Sequence, residues 1–299
     1  MRESDGAAPI VEATRWDRET FERGHLFPRT PLCIRSTAPD RDQLTAWHPR
    51  HLANQVGHRE VLLPDDSAID FSEYVEALLR LEGEPLHGER GTPGIPYLTH
   101  VPACETFPEL QAEEWIPPLA RPNWLERWEL RGLVPALWLR WVELLIGAAG
   151  MGYPSVHFDA YITHAWVRQM HSRKRFSLWP PFAGQPDHLS HAFRENVLAA
   201  DSPDTKTLMG HSQPSEIVLN AGDVLFIPAG WWHLTEIFTT SVTLSGNFVN
   251  DSNWGDFARA WGPTRGRRQR LWFAAARAVL WARNRATSAI RVLSNPASR

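Results

Sequence analysis

The chain has 299 residues, 31 basic and 34 acidic side chains, a formal charge of −3 and 43% hydrophobic residues. That is enough for one large domain or two small ones around a sizeable core, and it excludes a disordered, collagenous or disulfide-rich chain. Two cysteines, Cys33 and Cys104, make no disulfide framework; the N-terminus has no apolar run, and the longest apolar stretch, 134–153, carries Arg140 and Glu143. A secretory signal and a membrane span are therefore not expected, and a reducing, cytoplasmic compartment is.

The charge is unevenly placed. Only two of the basic residues are lysines, Lys174 and Lys206. No acidic residue follows Asp256, while ten arginines lie between Arg259 and Arg299, so an acidic body of −13 precedes a tail of +10. An acidic body argues against a general nucleic-acid surface.

In chain order, Asp17 to Glu22 reads as a helix start and Pro31 to Arg35 as a short buried strand. Residues 69–80 place Phe71, Tyr74, Val75, Leu78 and Leu79 at helical spacing. Residues 82–96, rich in Gly, Pro and charge, read as a loop, and the proline-dotted stretch 106–124 as a surface wrap. From about Trp138 short strands alternate with turns, the pattern of an all-β sandwich or barrel of jelly-roll type. The stretch 257–293 is helical in pattern, with a break near Gly262-Pro263.

His157-Phe158-Asp159 is the first chemical signal. On an extended strand, side chains two apart share a face, so an imidazole and a carboxylate can meet one point inside a barrel. His233, in Gly230-Trp-Trp-His233, follows a strand ending at Pro228 and can add a second imidazole. Two His and one carboxylate form the facial ligand set of non-haem Fe(II) oxygenases, with positions left open. Alone, the His-X-Asp triplet is weak evidence and fits two polar residues on a solvated strand better.

The run Gly222-Asp-Val-Leu-Phe-Ile-Pro-Ala-Gly-Trp-Trp-His233 resembles the second metal strand of the JmjC-type, cupin-like 2-oxoglutarate oxygenases, a family that includes an asparaginyl hydroxylase. LLIGAAGMGYPSVHFDAY looks like that family's first metal strand, and Lys174-Arg-Phe-Ser-Leu-Trp-Pro-Pro181 like its cosubstrate strand. TPLCIR, FSEYVEALL and IPYLTH match in order, so the likeness covers roughly 10–250.

The resemblance implies a double-stranded β-helix, a mainly β jelly roll with N-terminal α/β decoration over 1–132, a cupin-like core over 133–252 and a basic helical segment over 253–299. It implies Fe(II) held by His157, Asp159 and His233, with 2-oxoglutarate and O2 as cosubstrates. Lys174 matches the lysine that meets the distal carboxylate of 2-oxoglutarate. A buried ammonium needs such an anion, although a strand-end lysine can also snorkel to solvent. Tyr97 matches a tyrosine on the same carboxylate, and Asn247, alternating with Thr243 and Ser245, an asparagine near the cosubstrate. Thr163 or Ala165 falls where the family often has another asparagine, and Pro154 and Ser155 stand where it has a threonine.

Rival ligands are disfavoured. His164 has the wrong strand parity, His171 is the other candidate, and His188, His191 and His211 read as loop residues. Of the flanking tryptophans Trp166, Trp179, Trp231 and Trp232, Trp179 reads as core and Trp231 as site rim. The basic amphipathic tail, with an apolar stripe through Leu271, Trp272 and Ala275, reads as a self-docking or homodimer element before a membrane or nucleic-acid one.

The implied activity is hydroxylation of an unactivated C–H bond, preferably on an amino-acid side chain in a protein or peptide. A free amino acid or specialised metabolite is an alternative substrate. Histone demethylation ranks lower, because no chromatin-reading module accompanies the domain. A non-catalytic cupin-like binding protein and a zinc lyase or isomerase on the same scaffold remain open.

Overall fold

The computed structural model describes residues 10–37, 45–81, 95–126, 142–153, 156–181, 197–198 and 213–261. The strands are β1 (Val11–Ala13), β2 (Leu32–Ile34), β3 (Glu60–Leu62), β4 (Ala68–Asp70), β5 (Leu98–Pro102), β6 (Glu143–Gly147) and β7 (Val156–His157). They continue with β8 (His164–His171), β9 (Arg173–Trp179), β10 (Val197–Leu198), β11 (Ser215–Asn220), β12 (Val224–Ile227), β13 (Trp232–Ile237) and β14 (Ser241–Phe248).

Two sheets face each other, as the jelly-roll pattern anticipates. The larger runs β1-β2-β12-β8-β14-β6-β5 and the smaller β10-β7-β13-β9-β11; β3 and β4 pair separately. Pairing is antiparallel apart from β1 with β2. The small sheet has one wet face, so β9 alternates, with Lys174, Phe176 and Leu178 buried while Arg173 is exposed and Arg175 and Ser177 are half-buried. The large sheet is covered on both faces, so β8 is buried almost throughout. Its Val167 packs inward with Phe176 and Leu225, while Trp166 and Met170 join the opposite cluster with Phe71, Leu78 and Phe107.

The N-terminal part is woven into the sandwich as well as packed on it. β2 pairs with β12 and β5 with β6, so it extends both edges of the large sheet. The helix Phe71–Arg80 buries Phe71, Tyr74, Val75 and Leu78, as its spacing predicts, while Leu79 is only half-buried. The Tyr74 hydroxyl donates to the carbonyls of Ile146 and Pro96 and accepts from the Leu98 amide, which fixes β5 and the neighbouring Tyr97. Asp17 caps the first helical turn by accepting from the Thr20 amide. The stretch 106–124 departs from the surface wrap expected of it: its single-turn helices bury Phe107, Ala112, Leu119, Ala120 and Trp124.

The Gly222-Asp223 pair owes its place to folding. Gly222 takes φ 96° in the turn between β11 and β12, a conformation suited to glycine. The Asp223 carboxylate accepts from Arg35 at 2.6 Å and from the amides of Ser36 and Asn220 at 2.9 Å, tying the N-terminal segment to the sandwich. After β12 a second turn, with Gly230 at φ 82°, carries the chain to the small sheet at β13.

The helix Trp254–Trp261 begins three residues before the predicted helix and packs Trp254, Phe257 and Trp261 against Trp124 and Tyr161. The basic tail, the 182–212 loop with its histidines (Val197 and Leu198 apart), most of the 82–96 loop and Pro154-Ser155 lie outside the described residues. Among the described residues no helix is long and apolar enough to cross a membrane.

Candidate active site

One cavity of about 90 Å³ opens between the two sheets. A single water needs roughly 10–15 Å³, so the space suits a small organic molecule. Its small-sheet wall carries His157, Lys174, Phe176 and His233; its large-sheet wall carries Leu145, Val167 and Asn247.

His157 and His233 stand opposite each other in the register of β7 and β13, with ring centroids 4.2 Å apart. β7 is only two residues long, so the extended strand proposed for His157 and Asp159 ends at His157. Asp159 instead precedes the tight turn Ala160–Ile162, in extended conformation, and still faces the cavity. His233 Nδ1 lies 3.2 Å from the Trp231 carbonyl oxygen. That oxygen can only accept, so Nδ1 is the donor and Nε2 is the nitrogen left for a metal.

Asp159 keeps one face on the cavity but is otherwise enclosed. Burial raises its carboxyl above the usual range, against the pull of His233 and a hydrogen bond from Asn247. Asn247 Nδ2 donates to Asp159 Oδ1 at 2.8 Å and to Thr163 Oγ1 at 3.0 Å. Asn247 is itself fixed through its backbone oxygen, which accepts from Asn123. As oriented, no group of three His, Cys, Asp or Glu side chains among the described residues is already converged on a metal position. The donors nevertheless share one cavity and have the chemistry of a divalent iron site: two imidazoles, and a buried carboxylate that a cation would stabilise.

Lys174 is 2% exposed, and burial alone lowers its ammonium to about 7. Its Nζ donates to the Tyr97 hydroxyl at 2.6 Å and lies over the Tyr97 and Phe176 rings. It does not snorkel to solvent. Gly147 makes room for this pair, since a Cβ there would sit 2.5 Å from Tyr97 Cδ2.

Two assignments shift. Thr163 is not among the described residues lining the cavity; it donates to the Ala160 carbonyl and accepts from Asn247, whereas Ala165 does line it. Asn247 reaches the Asp159 carboxylate, so it holds Asp159 as well as lining the cavity. Thr243 and Ser245 share its cavity-facing side, as their alternation predicts.

The rivals are accounted for. His164 faces away, as parity requires; its Nδ1 accepts from the Ala229 amide at 2.9 Å, its Nε2 meets Ser252 Oγ at 2.8 Å, and burial pulls its pKa well down. His171 stacks edge-on against His48, away from the cavity. Trp179 and Trp232 form a buried cluster with Phe158. Trp231 is also buried, with its indole N–H on the Arg29 carbonyl, so it is core and not the site rim.

Sequence reasoning missed two cavity residues of note, Glu143 and His100. His100 Nδ1 lies 3.2 Å from Glu143 Oε1. Burial draws the His100 imidazolium down, but the hydrogen bond and charge of Glu143 outweigh it and hold the pKa above the usual imidazole value. A lone carboxylate inside the apolar run 134–153 was the available signal.

Comparison with known proteins follows the same outline. The chain is 29% identical over 260 residues to the 2-oxoglutarate and iron-dependent oxygenase JMJD4 of Gallus gallus, covering 78% of this chain and 58% of that protein. It is 28% identical over 162 residues to the lysine-specific demethylase JMJ21 of Arabidopsis thaliana, covering 50% and 16%. It is 32% identical over 123 residues to the arginine-specific demethylase JMJ22 of the same plant, covering 38% and 24%. The chain thus spans between about a sixth and somewhat over half of the length of these relatives. A cupin-like domain matches residues 18–253, which takes in every strand of the two sheets except β1 and every residue of the cavity wall. With that match over most of its length, on a two-sheet jelly roll, the chain belongs to the cupin-like domain family.

Proposed function

We propose that the chain is an Fe(II)- and 2-oxoglutarate-dependent oxygenase that hydroxylates an unactivated C–H bond, on an amino-acid side chain of a protein or peptide. The observation that carries this reading is Lys174, a buried ammonium in the same cavity as two histidines and an aspartate, with no acidic partner among the described residues. An ammonium so placed is costly until it meets an anion, and a dicarboxylate supplies one. The relatives named as 2-oxoglutarate and iron-dependent oxygenases support the cofactor choice, and those named as demethylases support a protein substrate.

His157, Asp159 and His233 would hold the iron. Lys174 and Tyr97 would bind the distal carboxylate of 2-oxoglutarate through charge-assisted and neutral hydrogen bonds. Bound there, iron and 2-oxoglutarate together with O2 supply the oxidation of a C–H bond, with succinate and CO2 as coproducts. The Trp231 carbonyl keeps His233 in its ligating tautomer. Asn247 occupies Asp159 Oδ1 and leaves Oδ2 for the metal. Leu145, Val167, Phe176 and Ile227 form an apolar wall that keeps water from the dicarboxylate.

Calorimetric titration of 2-oxoglutarate into Mn(II)-loaded protein tests the assignment. Binding is expected to need the metal and to be lost in Lys174→Ala, while Mn(II) affinity persists. Equal 2-oxoglutarate affinity in the wild type and Lys174→Ala would overturn it.

A further inference from the structure

Glu143 is a carboxylate in the cavity wall that neither the metal set nor the cosubstrate cradle uses. It opens β6, its side chain is 12% exposed, and its inward neighbour on the same strand is Leu145. β5 shifts register between Leu98 and Val101, and His100 sits there at φ 60°. A histidine in this left-handed region is uncommon and persists where its surroundings hold it. The shift brings its imidazole across to Glu143 Oε1 at 3.2 Å. Tyr153 lies between this pair and the proposed metal site, its ring 6.2 Å from that of His100 and 4.0 Å from that of His157.

We propose that Glu143, oriented by His100, is the docking point for a cationic group of the substrate, an ammonium or a guanidinium. The inference rests on the oxygenase reading of the same cavity and adds the residue that selects the substrate. The cavity has two poles. At one, Lys174 with Tyr97 suits the cosubstrate anion. Glu143 is not the counter-ion of Lys174, whose ammonium is shifted by burial alone. At the other pole, Glu143 adds a carboxylate to the cavity wall, beside His100 and the Tyr153 ring.

The position already favours a positive charge. The His100 side chain is 39% exposed; its covered part disfavours the imidazolium, yet Glu143 stabilises that charged form. A site that overcomes desolvation for one cation can do so for another brought by the substrate. Only one carboxylate oxygen is committed to His100, and an ionised carboxylate accepts several hydrogen bonds. The Tyr153 ring adds an aromatic face to which a cation is drawn. An anionic substrate would be repelled at this end, and a neutral one would leave Glu143 facing an apolar chain.

Full-length protein loaded with Mn(II) and N-oxalylglycine, an unreactive 2-oxoglutarate analogue, is titrated with Nα-acetyl-arginine amide and Nα-acetyl-lysine amide. The neutral counterparts built on citrulline and norleucine serve as controls. The wild type is expected to bind the cations about tenfold or more tightly than their neutral counterparts. Glu143→Gln is expected to abolish that ratio and leave N-oxalylglycine affinity unchanged. No cation preference in the wild type, including no binding of either cation, overturns the proposal, as does a preference that survives in Glu143→Gln. The wild-type ratio decides even if the variant does not fold. Failure to load Mn(II) and N-oxalylglycine overturns the oxygenase reading together with this one; normal loading without cation preference overturns this one alone.

Discussion

Lys174 Nζ donates a 2.6 Å hydrogen bond to the Tyr97 hydroxyl, and these two residues, from β9 and from the position just before β5, form the cationic pole of the cavity. Burial lowers Lys174 to about 7 from 10.5. Between those values the unfolded chain holds a proton that the folded protein has released, so the ligand-free protein gains stability from this group as pH rises. A dicarboxylate reverses the shift by favouring the ammonium. Binding of 2-oxoglutarate at about pH 8 should therefore take up ~1 proton. Calorimetry in buffers of different ionisation enthalpy measures it, and binding with no net proton uptake at that pH would contradict the assignment of Lys174.

Asn247 ties Asp159 to Thr163 and is anchored by Asn123. Removing such an outer partner of a metal ligand typically costs about 10–100-fold in metal affinity. Asn247→Ala should weaken Mn(II) binding by that order, read from the electron paramagnetic resonance signal of free Mn(II). Unchanged affinity would mean that Asp159 needs no such support.

His164 is a structural histidine. His164→Leu leaves the buried Ala229 amide without its acceptor, a loss of about 1–3 kcal/mol. Denaturant unfolding should show that loss while Mn(II) affinity stays at the wild-type value. A fall in metal affinity without a fall in stability would restore His164 as a ligand candidate.

The site residues were legible mainly through the resemblance of the runs at 157–181 and 222–247, and strand parity agrees with part of that reading. Lys174 and Phe176 alternate with Arg173 and Arg175, and Thr243, Ser245 and Asn247 share one face, as a pleated strand requires. His164 was excluded by the same rule. Parity could not show that β7 stops at His157, because a two-residue strand leaves no pattern; Asp159 reaches the cavity through a turn instead.

Residues placed by long-range register were harder to read. Tyr97 is set by the Tyr74 hydroxyl and by room at Gly147, neither visible in a short motif. Glu143 and His100 meet only because β5 slips its register beside β6. Trp231 was assigned to the rim from its place next to Trp232 and His233, but its indole N–H found the Arg29 carbonyl, far away in the chain. The segment 106–124 looked like a surface wrap because prolines dot it, yet its Phe107 and Trp124 are fully buried.

The most direct test of the central claim is succinate formation. Protein is loaded anaerobically with Fe(II) and 2-oxoglutarate, O2 is admitted, and succinate is measured by mass spectrometry. The account predicts O2-dependent succinate from the wild type, and its loss in His157→Ala and Asp159→Ala with folding retained. Succinate formation that persists in both variants, or a wild type that binds iron and 2-oxoglutarate yet forms none with any peptide offered, would contradict it.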